Sequence, residues 1–496
     1  MRRLFLVGGF LLISFCVFSQ NRLGLTSGDY AGVNGVQLNP ASGINSYYYL
    51  DIQLGGGGVF ALNNYLFLRN EDYSVGGLLS KNPEFPTFTN EFGDSRYLDL
   101  RQNQKLKSGY SNQQVMGPSV MLTLGRNSFA FFTGFRSLVR AKDFSYDVAR
   151  NIYEGLDYPP FHNVTFDNKK AMHLETIQFS EIGASYSRNV YARDYDKVDV
   201  GITLKYLLPH NGFKLFVENI NYMMPNSDTL IINDMNGELR SSVPVDYENN
   251  SFPDETGWVK GSGFGVDLGV VYTKTKSLQR PYNRYTRLCR QRRYDYHYRL
   301  GLSLLDIGSV SFKDNVQVHR YRDVSTEWPD VGDLDFENTN QMLRDISRQL
   351  TGSEGASQTG EEQFTMRLPM ALSMQADYHF FRNWYTHATV IYGFPGGAGG
   401  YNRPHYVGVM PRYENAVFGA GMPVSLHDFR QPQLGFNVRL FYLTIGTANL
   451  AHYAGLSDFN GIDFYFSLKF NIRKGKCGRG GGADCNGYEY GLPGKF

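Results

Sequence analysis

The chain of 496 residues carries no Gly-x-Ser-x-Gly elbow, no His-Glu-x-x-His and no Walker A sequence. Its chemically capable side chains recur instead at every second position of extended-looking segments. Asp199, Lys205, Asp267, His297, Arg299, Asp377, Arg439, Asp463 and Lys469 fall in step with Thr203, Ser303, Gln375, Asn437 and Ser467. A period of two places such residues on one face of a strand. Acids and bases that share an enclosed face pair with one another, because an unpaired buried charge is costly. Such a face serves as a cross-strand network that rigidifies a filled interior, or as the polar lining of a channel. No nucleophile–base constellation accompanies it, so no catalytic residue, no metal ligand set and no cofactor are expected, and the chain is not read as an enzyme. Chain order suggests two bridges, Asp267 with Arg299 and Arg439 with Asp463.

Other motifs carry less. Gly261-Ser-Gly-Phe-Gly265 has the wrong glycine spacing for a phosphate loop and leads into a strand. Arg280–Arg299 holds seven arginines and five tyrosines, a composition suited to a solvated basic loop or to lipid and lipopolysaccharide phosphate. Gly393–Gly400 has five glycines and reads as a flexible loop. Met342, Leu343, Ile346 and Leu350 have helical spacing, which predicts a short loop helix packed on a rim. Asp228-Thr-Leu230 fits a short O-glycosylation pattern.

The elements that must position the polar face are strands. Val198–Tyr206, Phe264–Val270, Tyr296–Leu304, Met370–Tyr378, Leu434–Leu440 and Ile462–Ile472 alternate cleanly. Further strands are expected at 46–56, 58–68, 113–124, 128–138, 176–188, 309–318, 383–394, 405–414 and 415–424, with a bulge between Phe179 and Ile182. Stacked soluble sheets or a membrane barrel would both give this pattern. The barrel is favoured by segments of 9–11 residues, the length a tilted strand needs to cross a bilayer. It is also favoured by tyrosines at strand ends, namely Tyr206, Tyr272, Tyr296, Tyr378 and Tyr442. About 14 strands are expected, within a range of 12–16. Long insertions fall at 70–111, 139–175, 209–259, 276–294 and 319–364, and short turns at Arg126-Asn127 and Phe381–Asn383. These assignments do not let every loop alternate sides, so at least one of them is wrong or lies outside the barrel.

The amino terminus supplies an address. Arg2 and Arg3 precede the apolar run Leu4–Phe18, and Val17-Phe18-Ser19 has small residues where a signal peptidase cuts. Cys16 lies within that run without a lipobox. Export leaves Cys289, Cys477 and Cys485, an odd number, of which the last two could close a loop in the tail. Charged residues are only 19%, aromatics 15%, and net charge +2, which gives no case for disorder or for nucleic acid. Mean hydropathy is −0.36, and no apolar run after the leader is long enough for a membrane helix.

Four blocks carry a resemblance. Gly24–Ser42, with Asn39-Pro40-Ala41 inside it, Leu300–Gly308, Leu368–Tyr378 and Pro411–Glu414 resemble a family of uncharacterised outer-membrane β-barrels of Bacteroidota. The Asn39-Pro40-Ala41 element is also similar to the amino-terminal hatch of FadL-type hydrophobic-compound channels and of the PorV-type barrel. The resemblance implies an antiparallel transmembrane β-barrel of about 14 strands with an amino-terminal segment inside, and brings no activity. The expected organisation is a signal peptide at 1–19, a hatch-like interior segment at 20–45, an outer-membrane barrel at 46–473 and a glycine-rich tail at 474–496. Expected partners are outer-membrane lipid and lipopolysaccharide, with other outer-membrane proteins possible and nucleic acid excluded. The expected role is a structural or accessory one in an outer-membrane complex. The alternative is a passive channel for a small, possibly hydrophobic, compound.

Overall fold

The computed structural model describes residues 22–472 other than 81, 83, 90–92, 253–256, 280–294, 334–335, 396–400 and 402. The leader, most of the basic run, five of the eight residues of the glycine loop, every cysteine and the tail lie outside the described residues.

Alternating segments satisfy their backbone groups by pairing, and here the pairing closes on itself. Leu50–Asn63 pairs on one side with Gly461–Ile472. On its other side it pairs with Lys107–Met116 and the continuation Ser119–Leu124. Neighbours then follow chain order through Asn127–Phe144, Met172–Met223, Gly261–Gln279, Tyr296–Phe312, Ala371–Phe381, Trp384–Gly393 and Tyr406–Glu414. Shorter pieces between Phe418 and Thr447 complete the ring. Thirteen strand units make this closed antiparallel barrel. A ring of antiparallel neighbours needs an even number of crossings, and Met172–Met223 supplies it. That strand folds back at Asp194 (φ 53°), where Asn189 donates to the Val198 carbonyl and Thr203 to Ser185. Its two arms pair with different neighbours, so the wall is crossed fourteen times.

Tight turns gather at the rim where Tyr49 and Ile472 meet, with positive φ at Gly125, Asp194, Arg382 and Phe441. The long connections gather at the other rim. Two expected strands, 46–56 and 58–68, are one strand. Its four consecutive glycines, Gly55–Gly58, absorb a register shift after Gln53 without a turn. The expected strand 309–318 is the end of one strand and the start of another, Val316–Trp328, with the chain reversing at Asn315 (φ 53°). Val316–Trp328 leaves the wall, which is why the loops could not alternate on paper. Leu443–Thr447, too short to show a period, joins the wall unforeseen.

Across the middle of the wall the outward side chains are apolar. Ile182, Leu204, Leu268, Leu302, Met374, Val409, Phe464 and Leu468 are all exposed. Aromatic pairs edge this belt, among them Tyr272–Tyr298, Trp384–Tyr413 and Tyr442–Phe470 toward the short turns, and Tyr206–Phe264 toward the long loops. This is the architecture of an outer-membrane barrel.

Beyond the belt, toward the long loops, the polarity of the two faces inverts. Val310 and Phe312 point inward and are fully buried, while Ser309 and Ser311 point outward. The expected bulge at Phe179–Ile182 is the same inversion. The register with Asn127–Phe144 is unbroken there, Phe179 faces the apolar upper interior and Ile182 faces out. The second arm of Met172–Met223 continues past the belt and pairs with Leu230–Ser242, which pairs with Val316–Trp328. Helix Thr339–Thr351 packs on this outer sheet, capped by Asn338 Oδ1 accepting from the Gln341 backbone amide at 2.8 Å and ended by Gly352 in the left-handed region. Within the outer sheet, burial opposes ionisation of Glu238, yet hydrogen bonds from Arg240 and Arg320 hold its pKa below the ordinary value.

Candidate functional site

Residues 22–46 lie inside the barrel as a plug. Leu23–Thr26 forms a short helix, and Gly32–Gln37 and Pro40–Asn45 form 3-10 turns. Proline fixes the entry to the second of these turns, and the Asn39 side chain caps it by accepting from the Ala41 amide. The wall has made room for this corner. A Cβ on Gly201 would lie 2.4 Å from Ala41 N, and one on Gly269 would lie 2.1 Å from Asn39 Oδ1. Gly301, two strands away, borders Asn39 Nδ2. Gly201 and Gly269 are register partners, so three adjacent strands present a smooth track to Asn39 and Pro40. The Asn39 amide then donates to Gln375 Oε1 at 2.9 Å and to the Val270 carbonyl at 3.2 Å.

Most of the expected lumen residues face this interior. Asp199 is buried, paired with Lys197 at 3.0 Å and accepting from Asn45 of the plug. Lys205 lies 2.7 Å from Asp267 and 2.8 Å from Asp306. Asp377 meets Arg412 at 2.8 Å and accepts from Tyr296 Oη at 3.0 Å, with His387 at 3.1 Å. Lys469 bonds the Ala31 carbonyl of the plug and sits 3.5 Å from Asp51. Asp463 accepts from the Ala448 amide.

His297 does not join them. Tyr298 pairs with Lys274 and Tyr296 with Thr275, which leaves His297 as the extra residue of a bulge. The bulge turns His297 out to an exposed position and brings Tyr296 in, so Tyr296 is no part of the aromatic girdle. The two expected bridges are also not formed. Arg299 lies opposite Thr273 and pairs with Asp29 of the plug, stacking over the Tyr296 ring, while Asp267 pairs with Lys205. Arg439 donates to the Asn415 carbonyl and covers the Tyr30 ring of the plug at 4.4 Å. Alternation put these charges on the right face, but it could not foresee that the plug would compete for them.

Several interior residues left no trace in the strand pattern. Asp306 occupies a second bulge with φ 54° and receives Arg136, Lys205 and Arg403. Glu181 accepts from Arg136 and shares the parity of Phe179, a signal that the inversion obscured. Arg22 and Asp29 belong to the plug, where no periodicity applies, and Asp51 opens the strand Leu50–Asn63 in step with Gln53, a signal only two residues long. Among the described residues no group of three His, Cys, Asp or Glu side chains is placed to hold a metal ion.

Three further features complete the geometry. Above the plug is a cavity of about 90 Å³, lined by Arg22, Arg136, Lys205, Asp306 and Arg403 on its polar side and by Phe132, Leu138 and Ile391 on its apolar side. Toward the long loops the lumen is crossed by an apolar layer drawn from many strands, including Phe60, Leu138, Ile177, Phe179, Phe312 and Met366, with Tyr401. Beside the cavity the wall has a weak seam. Gln53 pairs with Ser119 and Gly56 with Met116, so Leu54 and Gly55 face Gly117 and Pro118 without ladder bonds. Proline cannot donate one, and Gly55 carries no side chain to fill the gap.

A closed barrel with an apolar belt, an ionic interior and an N-terminal plug defines an outer-membrane-type barrel. Residues 40–447 match the profile of a family of unknown function, DUF5723, and the chain belongs to that family. No curated protein matches it. Among solved structures it is similar to the toluene transporter TbuX of Ralstonia pickettii, with 10% identity and a TM-score of 0.41 over 93% of this chain and 100% of that one. It is also similar to the toluene transporter TodX of Pseudomonas putida, with 8% identity and a TM-score of 0.31 over 92% and 100%. A FadL homologue of Pseudomonas aeruginosa shows 9% identity and a TM-score of 0.23 over 92% and 100%.

Proposed function

We propose that this protein sits in the outer membrane as a passive passage for a small compound with an apolar body, and catalyses no reaction. The observation that carries this reading is the stacking of an apolar layer on a cavity that abuts the unpaired seam at Leu54–Gly55 and Gly117–Pro118. An apolar layer excludes hydrated ions but admits an apolar solute. The seam offers that solute an exit into the belt, so the plug need not leave. The test uses proteoliposomes and planar bilayers. Wild type is expected to show little steady ion conductance while accelerating entry of an apolar tracer such as a dansylated alkane. Gly55→Val with Pro118→Ala fills and re-pairs the seam, and should slow that entry several-fold while the barrel stays heat-modifiable. Unchanged entry in the double variant, or a large ohmic conductance in wild type, would count against the passage.

A second reading, a structural or accessory part of an outer-membrane complex, is favoured by how firmly the plug is fastened. Asp29–Arg299, Asn45–Asp199 and Lys469–Ala31 tie it to three separate parts of the wall. It predicts no transport at all and co-purification of other outer-membrane proteins after mild crosslinking.

A further inference from the structure

Above the belt, one side of the wall carries cations and aromatics that the interior does not use. Tyr206, Phe264, Ser309 and Arg367 lie in one register row across four strands, the row that edges the belt. All four point outward, because the residues beside them, Leu207, Val310 and Met366, point into the apolar layer. One pleat higher, Ser262, Ser311 and Thr365 form a second outward row, this one of hydroxyls. Lys313 follows on the same edge and is exposed, as is Arg367, and the Lys313 amide bonds the Lys260 carbonyl at 2.9 Å. Neither cation has an ion-pair partner among the described residues. Beside them the chain folds down onto the outside of the wall. His210 lies on the outward face next to Phe135, where its Nδ1 donates to the Trp258 carbonyl at 2.9 Å and Ser180 donates to its Nε2 at 2.8 Å. The Lys260 amide adds a bond to the Pro209 carbonyl at 2.8 Å. Trp258 and Val259 are thereby held just above Tyr206 and Phe264. Trp258 is 54% exposed and meets the ring of Phe252, itself 56% exposed, edge to face at 4.5 Å. Large apolar side chains kept in the open mark a contact surface, and continuity with the belt makes lipid its neighbour.

We propose that this outward face is a docking site for an anionic lipid whose headgroup carries a phosphate. Lys313 and Arg367 hold the phosphate, the hydroxyls of Ser309, Ser311 and Thr365 between them donate to its remaining oxygens, and Trp258 with Phe252 flanks it at headgroup level. The chemistry selects the class. A guanidinium forks two phosphate oxygens, an ammonium adds a point charge, and hydroxyls complete the set of donors. Tryptophan suits this depth, because its ring body is apolar and its N–H is polar. Long loops of outer-membrane barrels face away from the cell, so the leaflet is the outer one. The site rests on the seating of the barrel in the outer membrane and is independent of any passage through it.

The experiment uses the full mature chain in nanodiscs of phosphatidylcholine with a minor share of phosphatidic acid, whose headgroup is a bare phosphate. Lipid that stays with the barrel on mild detergent extraction is weighed by native mass spectrometry. Wild type is expected to retain phosphatidic acid about tenfold above its share of the bilayer. Lys313→Gln with Arg367→Gln should bring retention down to that share, with folding verified by heat-modifiability. Ser311→Glu keeps both cations but sets a carboxylate between them, and should do the same. Arg382→Gln, in a turn of the opposite rim, should change nothing. Inorganic phosphate at equal concentration should not displace the lipid. Depth is read separately by fluorescence. Trp384→Phe leaves Trp258 as the exposed tryptophan, since Trp328 is buried. Phosphatidylcholine brominated near the headgroup should quench it more than the same lipid brominated at the chain ends, and His210→Ala should weaken the shallow quenching. Retention in wild type at the bilayer share, unchanged retention in both the double variant and Ser311→Glu, equal loss in Arg382→Gln, displacement by free phosphate, or a Trp258 quenched by neither lipid would overturn the proposal. Lipid retention that survives while tracer entry fails would leave this site standing and remove the passage.

Discussion

Arg299 shows what the alternation of residues makes visible and what it hides. Its inward direction was legible, as were those of Asp199, Lys205, Asp267, Asp377 and Lys469, because a period of two survives whatever the neighbours do. Its partner was not legible, because partner choice depends on register, and two bulges on one strand shift it. The bulge at His297 exchanges Tyr296 for the histidine, and the bulge at Asp306 brings in a carboxylate whose parity alone would send it outward. Arg299 therefore pairs with Asp29 on the plug, not with Asp267 on the wall. The expected consequence is a rescue pattern. Arg299→Asp strands Asp29 in a buried site and should cost about 3–5 kcal/mol. Adding Asp29→Arg should recover much of that loss, whereas adding Asp267→Arg should deepen it by setting a buried cation against Lys205. The temperature at which the folded band disappears on unheated gels measures all three, and rescue by Asp267→Arg would show that the register is wrong.

Two elements carry predictions of their own: the glycine track and the belt. Glycines in strands read only as weak strand positions in a sequence, yet Gly201 and Gly269 mark where another backbone approaches. A side chain at Gly201 meets the backbone of Pro40 and Ala41, which cannot step aside as a flexible side chain could. Gly201→Val is thus expected to lift the plug from the wall while leaving wall pairing intact. Limited proteolysis should then cut within residues 22–46, which wild type protects, and a Gly201→Val barrel that folds and stays uncut there would refute the docking role. The belt was legible from its apolar face; its end was not, since inversion of polarity along one strand looks like a slipped period. That inversion changes which substitutions are harmless. Leu204→Arg, on a side chain 56% exposed within the belt, should cost roughly 2–4 kcal/mol near the membrane midplane. Ser311→Arg, outward on the extension beyond the belt, should cost little. Refolding yield into lipid vesicles compares them, and equal yields would mean that the belt extends to Ser311.

At the scale of the whole molecule, the closed barrel was legible from strand length, spread and aromatic edges, while its contents were not. The sequence pattern speaks for segments that pair with regular neighbours; the plug, the apolar layer and the outer sheet with its helix obey tertiary packing alone. One consequence concerns time. Leu50–Asn63 is joined directly to the plug and is also the strand that receives Gly461–Ile472 to seal the ring. The chain therefore meets its plug first and its closing strand last. The sheet is wound about a mandrel that it cannot afterwards admit, because the apolar layer shuts one mouth and the bonds of the short-turn rim shut the other. Order of addition should accordingly matter. A chain lacking residues 22–46 is expected to regain its native heat stability when a synthetic peptide of that sequence is present as the barrel folds. The same peptide supplied after the ring has closed should leave stability unchanged, and equal recovery in both orders would mean that the finished barrel still breathes wide enough to be filled.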